Sequence, residues 1–462
     1  TSITTAIGFL SMNFSDSPPF RDLGNLVAMG VILAFLFSIT ILPALLTVLP
    51  LRVKKVVDGE QDIMAKLANF VIDKRKLLLP AVSVIIIAST LFIPKNELND
   101  DFVKYFDTSV PYRVATDFMQ DNLSGMTLLE LSVKTGISSG INSPVYLSRL
   151  DAFSEWLREQ PETDHVNTIT DTLKRLNKNM HGDDPSWYKL PSEQEMAAQY
   201  LLLYEMSLPY GLDLNNQLNV DKSSAKIVAT FKNLTSNELI AVEQRINAWF
   251  AQHAPKYQVD IASPSLMFAH IGQRSIASML IGTTLALLLI SVLLGVALKS
   301  WRYGLISLLP NLVPAGIAFG VWGLIDGQIG LSLSVVIGMT LGIVVDDTVH
   351  FLSKYLHARR DNNASAEEAV HYAFGNVGKA LWTTTFVLVA GFIVLAQSTF
   401  SLNADMGLLT AITIFIALAI DFLFLPPLLI ALDKKKPLAN KSTAEDKNVS
   451  STPDYQLVNE SN

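Results

Sequence analysis

The chain alternates long apolar blocks with shorter polar ones. Eight apolar blocks can be walked, at about residues 1–14, 24–50, 77–94, 276–298, 303–325, 329–352, 381–399 and 405–432. Each full block is long enough to cross roughly 30 Å of hydrocarbon as a helix. A segment in lipid must satisfy its own backbone polar groups, so helices are the expected form. The first block opens at Thr1 with no Met and no signal peptide before it. The chain therefore reads as a C-terminal fragment beginning part-way through a membrane helix.

The order of the blocks gives alternating loop sides, which the distribution of basic residues can orient. One set of loops carries Arg52, Lys54, Lys55, Lys74, Arg75, Lys76, Lys299, Arg302, Lys354, Arg359, Arg360, Lys379 and Lys434 to Lys436. The opposite short loops carry almost none apart from Arg21. The basic set is expected in the cytoplasm, and the large insert 95–275 on the far side of the membrane.

Within the insert, 126–133, 225–231 and 257–262 read as strands, and 145–158 and 237–250 as helices. The middle, about 171–220, reads as helical and polar. Strands alternating with helices predict a small α/β domain of split βαβ type. Residues 51–76 are expected to be a cytoplasmic linker, 77–94 a span, 276–432 a five-helix bundle and 433–462 a disordered cytoplasmic tail.

Composition agrees with this picture. Hydrophobic residues make up 50% of the 462 and charged ones only 17%, with a mean hydropathy of +0.34, against about 25% charge in soluble domains. The absence of cysteine rules out disulfides and thiolate metal sites. The net charge of −7 comes with no basic stripe, so nucleic acid is not an expected partner. No cofactor or metal is expected, and no nucleophile–base pairing suggests an enzyme. His165 and His181 read as surface residues.

The two ends resemble each other. Residues 1–50 overlay residues 384–433 without a gap, bringing Gly8-Phe9 onto Gly391-Phe392, Gly24 onto Gly407, and Leu42-Pro43 onto Leu425-Pro426. Repeated membrane halves are a transporter signature. Residues 1–50 would then be the last two spans of a first repeat.

The segment LSLSVVIGMTLGIVVDDTVHFLSKY, 331–355, carries the candidate chemistry. A charge at the centre of a membrane helix costs at least about 2.5–3.5 kcal/mol on insertion scales, so Asp346 and Asp347 are expensive there. Asp346 shares a helical face with Gly342 and Gly338, where small residues let a partner helix approach closely. Asp347 lies about 100° round the helix, with Ile343 and His350. Carboxylates and an imidazole so spaced can share a proton. Desolvation and a second nearby carboxylate both favour protonation, which is what coupling to a proton gradient needs. A static, hydrogen-bonded pair is the alternative.

Three neighbours have two readings each. Pro310, Asn311 and Pro314 kink their helix, for movement or for packing. Thr383, Thr384 and Thr385 either donate to the acid pair or bond back to their own helix. Ala364 to Lys379 reads as an amphipathic helix lying on the cytoplasmic face. Phe102, Tyr105, Trp187 and Tyr188 are aromatic candidates for a substrate cleft, with ordinary packing the competing reading.

GIVVDDTVHF at 342–351, the amphipathic and Thr-rich segments after it, and the PNLVP segment at 310–314 resemble the resistance–nodulation–division (RND) superfamily. The nearer branch is the MMPL-like, sterol-sensing-domain-like exporters of hydrophobes and amphiphiles. The resemblance implies a polytopic α-helical bundle of twelve spans, eight of them here, with one extracytoplasmic α/β porter-type domain. It implies a proton relay at Asp346, Asp347, His350, Thr384 and Thr385, helix packing at Gly338 and Gly342, and residence in a bacterial inner membrane. The equivalent acid pair of the first half would fall ahead of Thr1. The implied activity is export of a hydrophobic or lipid-like molecule driven by the proton-motive force, with membrane lipids as partners and room for a homo-oligomer or a periplasmic partner. The alternatives are a sterol-sensing-like lipid receptor or scaffold, and a SecD/SecF-like accessory, which the eight spans argue against.

Overall fold

The computed structural model describes residues 1–49, 63–209 and 213–433. Residues 51–62 of the linker expected at 51–76, and nearly all of the expected tail, lie outside the described residues.

Helices dominate, and among the described residues seven are long and apolar enough to cross a membrane. The chain opens with α1 (Ser2–Leu10), then α2 (Pro18–Val48), α3 (Ile63–Asp73) and α4 (Arg75–Thr90). At 9 residues α1 is too short to cross by itself. It is nonetheless enclosed, with Thr4, Thr5, Ala6, Gly8 and Phe9 buried. Part of the expected linker is therefore helical. Met64, Ala68 and Val71 of α3 are buried.

A two-residue strand β1 (Glu97–Leu98) and helix α5 (Pro111–Asn122) lead into the α/β domain. There β2 (Thr127–Lys134), α6 (Pro144–Arg158), β3 (Thr163–Asn167), α7 (Ile169–Met180), α8 (Gln194–Ser207), β4 (Ser224–Phe231), α9 (Ser236–His253) and β5 (Gln258–Ala262) follow in order. The sheet order is β3-β4-β2-β5 and every pairing is antiparallel. With α6 and α9 as the crossovers, this is the expected split βαβ arrangement. Alternation makes one face of β2 apolar: Leu129, Leu131 and Val133 are buried against Leu147, Leu150, Phe153 and Leu157 of α6, and Leu239, Val242 and Ile246 of α9. A capping box between Thr235 and Glu238 fixes the start of α9. Strand β3 was not foreseen. It is a polar edge strand in which Val166 alone is buried, so it carries no apolar alternation to read.

The chain returns through α10 (Pro264–Ala297), α11 (Trp301–Ile306), α12 (Leu308–Ile325), the two-residue β6 (Gln328–Ile329) and α13 (Leu331–Arg360). It ends with α14 (Ala366–Ala373), α15 (Lys379–Leu395), α16 (Ser401–Leu423) and α17 (Leu425–Leu432). The block 303–325 is broken at Ser307, between α11 and α12. Pro310 clashes with a carbonyl four residues back, at Ile306, and removes a helical N–H. Beyond α14, a π-helical turn at Phe374–Gly378 runs directly into α15. The segment 364–379 is thus not a separate surface helix. Its face of Ala369, Val370, Ala373 and Phe374 packs with Met64 and Ala68 of α3 and Phe351, Leu352 and Tyr355 of α13.

Both ends of the chain use one packing device. A Cβ on Gly24 would lie 2.5 Å from the Phe9 carbonyl oxygen, and a Cβ on Gly407 would lie 2.8 Å from that of Phe392. These are equivalent positions in the overlay of 1–50 on 384–433, so the repeat is present in helix packing as well as in sequence. Helices α13 and α16 are the most enclosed of the long spans, and α2 and α4 the least.

Candidate functional site

Glycines decide where α1 meets α13. A Cβ on Gly8 would come within 2.7 Å of the Gly342 backbone, and one on Gly342 within 3.0 Å of the Thr5 carbonyl oxygen. Gly338 faces Ser11 and Thr283 in the same seam. The Gly338–Gly342–Asp346 face therefore meets α1, and on its far side α10. Asp346 continues this seam towards the Thr5 hydroxyl. Its Oδ1 is buried with no hydrogen-bond partner among the described residues.

Asp347 turns the other way, towards α15 and α16. Thr385 Oγ1 donates to Asp347 Oδ2 at 3.3 Å, and Thr385 is buried. Adjacent carboxylates thus serve two different helix seams, a consequence of the roughly 100° turn per residue. Neither has a Lys or Arg ion-pair partner among the described residues.

The other expected relay residues are placed less centrally. Thr384 bonds back to the carbonyls of Ala380 and Leu381, and Thr383 to that of Lys379. Neither reaches the acid pair. His350 is exposed on α13, one helical turn from Asp346. Pro310, Asn311 and Pro314 are buried in α12. Asn311 lines a cavity of about 20 Å³, the size of a single water, with Thr283, Thr340 and Thr413. Both side-chain polar atoms of Asn311 lack partners among the described residues.

Reading the sequence missed a third acid. Asp421, on α16, is fully buried. Thr348 Oγ1, from the residue after Asp347, donates to Asp421 Oδ1 at 3.0 Å. Asp421 and Asp347 are electrostatic neighbours. The available signal was Asp421's position inside an otherwise apolar block, the same cost that singled out the Asp346–Asp347 pair.

A larger cleft of about 390 Å³ opens between the segment 99–105 that leads into the α/β domain and the adjoining ends of α12, α13 and α16, lined in part by Asp100, Tyr105, Trp322, Asp326, Ser401 and Asp405. Of the aromatic candidates, Tyr105 lies here and stacks edge-on with Phe102. Trp187 is elsewhere, stacked on His181 at 3.7 Å, and Tyr188 lies by Lys174.

The sequence profile of the MMPL family matches residues 1–65 and 214–450. "Putative membrane protein MJ1562" of Methanocaldococcus jannaschii is 25% identical over 148 residues, 32% of this chain and 38% of that protein. The hedgehog release protein Disp of the water bear Hypsibius dujardini is similar in structure, with a TM-score of 0.60 at 15% identity over 94% of this chain and 57% of Disp. SecDF in its super-membrane-facing form gives a TM-score of 0.46 at 11% identity, over 93% of this chain and 47% of SecDF. The chain thus spans about half the length of these solved structures and less of the curated relative.

Proposed function

The chain belongs to the MMPL family, as a multi-pass membrane protein with an RND-type fold, and on that premise we propose that it works in proton-driven export of a hydrophobic or amphiphilic, lipid-like molecule. The observation that carries the reading is the division of Asp346 and Asp347 between two helix seams, with no Lys or Arg ion pair to either among the described residues. Protonating either carboxylate removes a charge from a packed interface, and the gain or loss is large where water is excluded. A proton entering or leaving can therefore shift α13 against α1 on one side and against α15 and α16 on the other. Such a shift is the two-state element that coupling needs.

The junction below the α/β domain supplies the other end of the mechanism. The cleft of about 390 Å³ there borders the N-terminal end of α13, so a displacement of that helix reaches the cleft. In this reading the basic loops face the cytoplasm of a bacterial cell and the α/β domain faces outward, where the substrate is released. That Disp is a release protein is in keeping with outward movement of cargo.

The test is efflux of a fluorescent amphiphile from proteoliposomes holding the full-length protein, with and without an imposed pH gradient. The expected result is gradient-dependent efflux that is lost when Asp346→Asn and Asp347→Asn are combined. Efflux that persists in the double variant would refute proton coupling. Lipid binding indifferent to the gradient would instead mark a receptor or scaffold.

A further inference from the structure

The buried carboxylate of Asp421 is not used by the reading above, and its surroundings define what it can do. It lies between α13 and α16, the two most enclosed long helices. One oxygen, Oδ1, accepts from Thr348. The other, Oδ2, is buried and has no hydrogen-bond partner among the described residues. If the group is ionised, Oδ2 carries unpaired charge in a dry interface. If it is protonated, its O–H lacks an acceptor. Either state is one hydrogen bond short, which is costly in a buried interface and more so for a charge.

The groups able to exchange a proton with it are few. Helices α12 and α17 contain no ionisable side chain. On α15 the sole ionisable residue is Lys379, at its first position, and on α4 Arg75 and Lys76 likewise sit at the first turn. Within α16 the other acid is Asp405, four turns away. From α13, Asp346 faces α1, His350 is exposed, and Tyr355 is two turns beyond and donates to Asp433. Asp347 remains as the ionisable neighbour on the facing helix.

We propose that Asp421 is the proton-exchange partner of Asp347, the two carboxylates sharing one proton across the α13–α16 interface. In the exchange the O–H bond of the Asp347 carboxylic acid breaks and a new O–H forms on Asp421 Oδ2. The negative charge passes to Asp347, and no other reactant is consumed. Thr348 holds Asp421 by Oδ1 and so keeps Oδ2 as the exchanging atom. Thr385 holds Asp347 from α15 in the same way. Asp421 itself is fully buried, so by exchange with Asp347 it acts as a store that sets when Asp347 is free to release its proton. This inference rests on proton coupling at Asp347.

The experiment is infrared difference spectroscopy of the purified full-length protein between acid and alkaline pH, paired with proton uptake into proteoliposomes. The variants are Asp347→Asn, Asp421→Asn and Asp421→Leu. The wild type is expected to show two carboxylic-acid carbonyl bands whose titrations overlap. Asp421→Asn removes one band and displaces the midpoint of the other by about one pH unit, a tenfold change in proton affinity. It also shifts the pH profile of uptake. Asp421→Leu separates this role from a structural one. Replacing a buried, poorly paired acid by an apolar side chain commonly leaves a protein as stable or more so, so a folded Leu variant with the altered profile supports exchange. An unchanged Asp347 midpoint and uptake profile in both Asp421 variants, with uptake abolished by Asp347→Asn, would overturn the role of Asp421 alone. Uptake indifferent to Asp347→Asn would overturn the coupling on which it rests.

Discussion

Asp100 Oδ2 accepts a hydrogen bond from the Leu331 backbone N–H at 3.0 Å. A residue at the base of the α/β domain thereby caps the N-terminus of α13, the helix that carries the acid pair. The other oxygen accepts from Tyr105 Oη at 3.0 Å. The Asp100 carbonyl accepts from Ser236 N at the start of α9, at 2.8 Å. One residue therefore joins a core helix of the domain to the central helix of the bundle. The parallel pair β1–β6 runs alongside the same junction.

Asp100→Ala is expected to loosen this junction. Removing a capping carboxylate costs about 0.5–2 kcal/mol, and here the Leu331 N–H of α13 and the Tyr105 hydroxyl both lose their acceptor. Hydrogen exchange at Leu331 to Leu333 should accelerate, while the β2–β4 core amides stay protected. Gly330→Ala should give the same pattern, because its Cβ would collide with Asp100 Oδ1. Unchanged exchange at the start of α13 in both variants would show that the cap does not hold the helix.

The pH dependence of the junction follows from the same group. Burial raises the Asp100 pKa above its ordinary value of 3.8, against the opposing pull of the Leu331 N–H and the Tyr105 hydroxyl, with Asp101 adding to the rise. A raised pKa means that the folded chain binds the proton more tightly than the unfolded chain. The resulting stabilisation is present below the ordinary value and is lost as pH rises through the raised one. The Tm of the wild type minus that of Asp100→Asn should therefore fall over that interval and level off above it. A difference that stays constant with pH contradicts the assignment.

Much of this was legible because membranes impose strong rules. Spans, the split βαβ domain, the repeat and the face that meets α1 all follow from local pattern. What was missed depends on neighbours in space. Asp421 stands alone in its block, and its meaning comes from Thr348 and Asp347 on another helix. Thr384 and Thr385 are indistinguishable by type, and only the rotation of α15 directs one to Asp347 and the other back to its own carbonyls. Strand β3 has one buried side chain and no period to read. The π-helical turn after α14, which carries the chain straight into α15, has no counterpart in hydrophobic periodicity.

Helix rotation makes the two threonines a matched pair for testing. Thr385→Val removes the hydroxyl that donates to Asp347, a loss of about 0.5–1.5 kcal/mol. Gradient-driven efflux should fall several-fold with a shifted pH profile, and Thr385→Ser should restore most of it. Thr384→Val removes only bonds to its own helix and should leave both rate and profile near wild type. Equal defects in the two Val variants would mean that the effect lies in helix packing.

The α1–α13 seam predicts a steric effect of unusual severity for a single methyl group. At Gly8 the obstructing atoms are the Gly342 Cα and N, both at 2.7 Å. Backbone cannot rotate out of the way as a side chain can, so α1 must move. Overpacking of this kind costs about 1–3 kcal/mol. Gly8→Ala should lower the Tm and weaken crosslinking between cysteines placed at Ile7 and Leu341, whereas Gly30→Ala, with nothing within 4 Å, should change neither. Equal crosslinking in the two variants would show that the seam yields.

A buried ion pair secures the other end of α13. Arg359 Nη2 lies 2.7 Å from Asp433 Oδ2, with both side chains about one-tenth exposed. Tyr355 Oη donates to the same oxygen at 3.1 Å, and Arg359 Nη1 donates to the Ala364 carbonyl. The pair thus ties α13 to the end of α17 and to the turn before α14. Removing one partner leaves a buried charge, at a cost of about 3–5 kcal/mol. Replacing both by apolar groups removes that penalty. Arg359→Met alone should therefore lower the Tm markedly. Combining it with Asp433→Leu should recover most of the loss, and a double-mutant cycle gives the coupling directly. Additive losses in the double variant would show that the two charges are solvated independently.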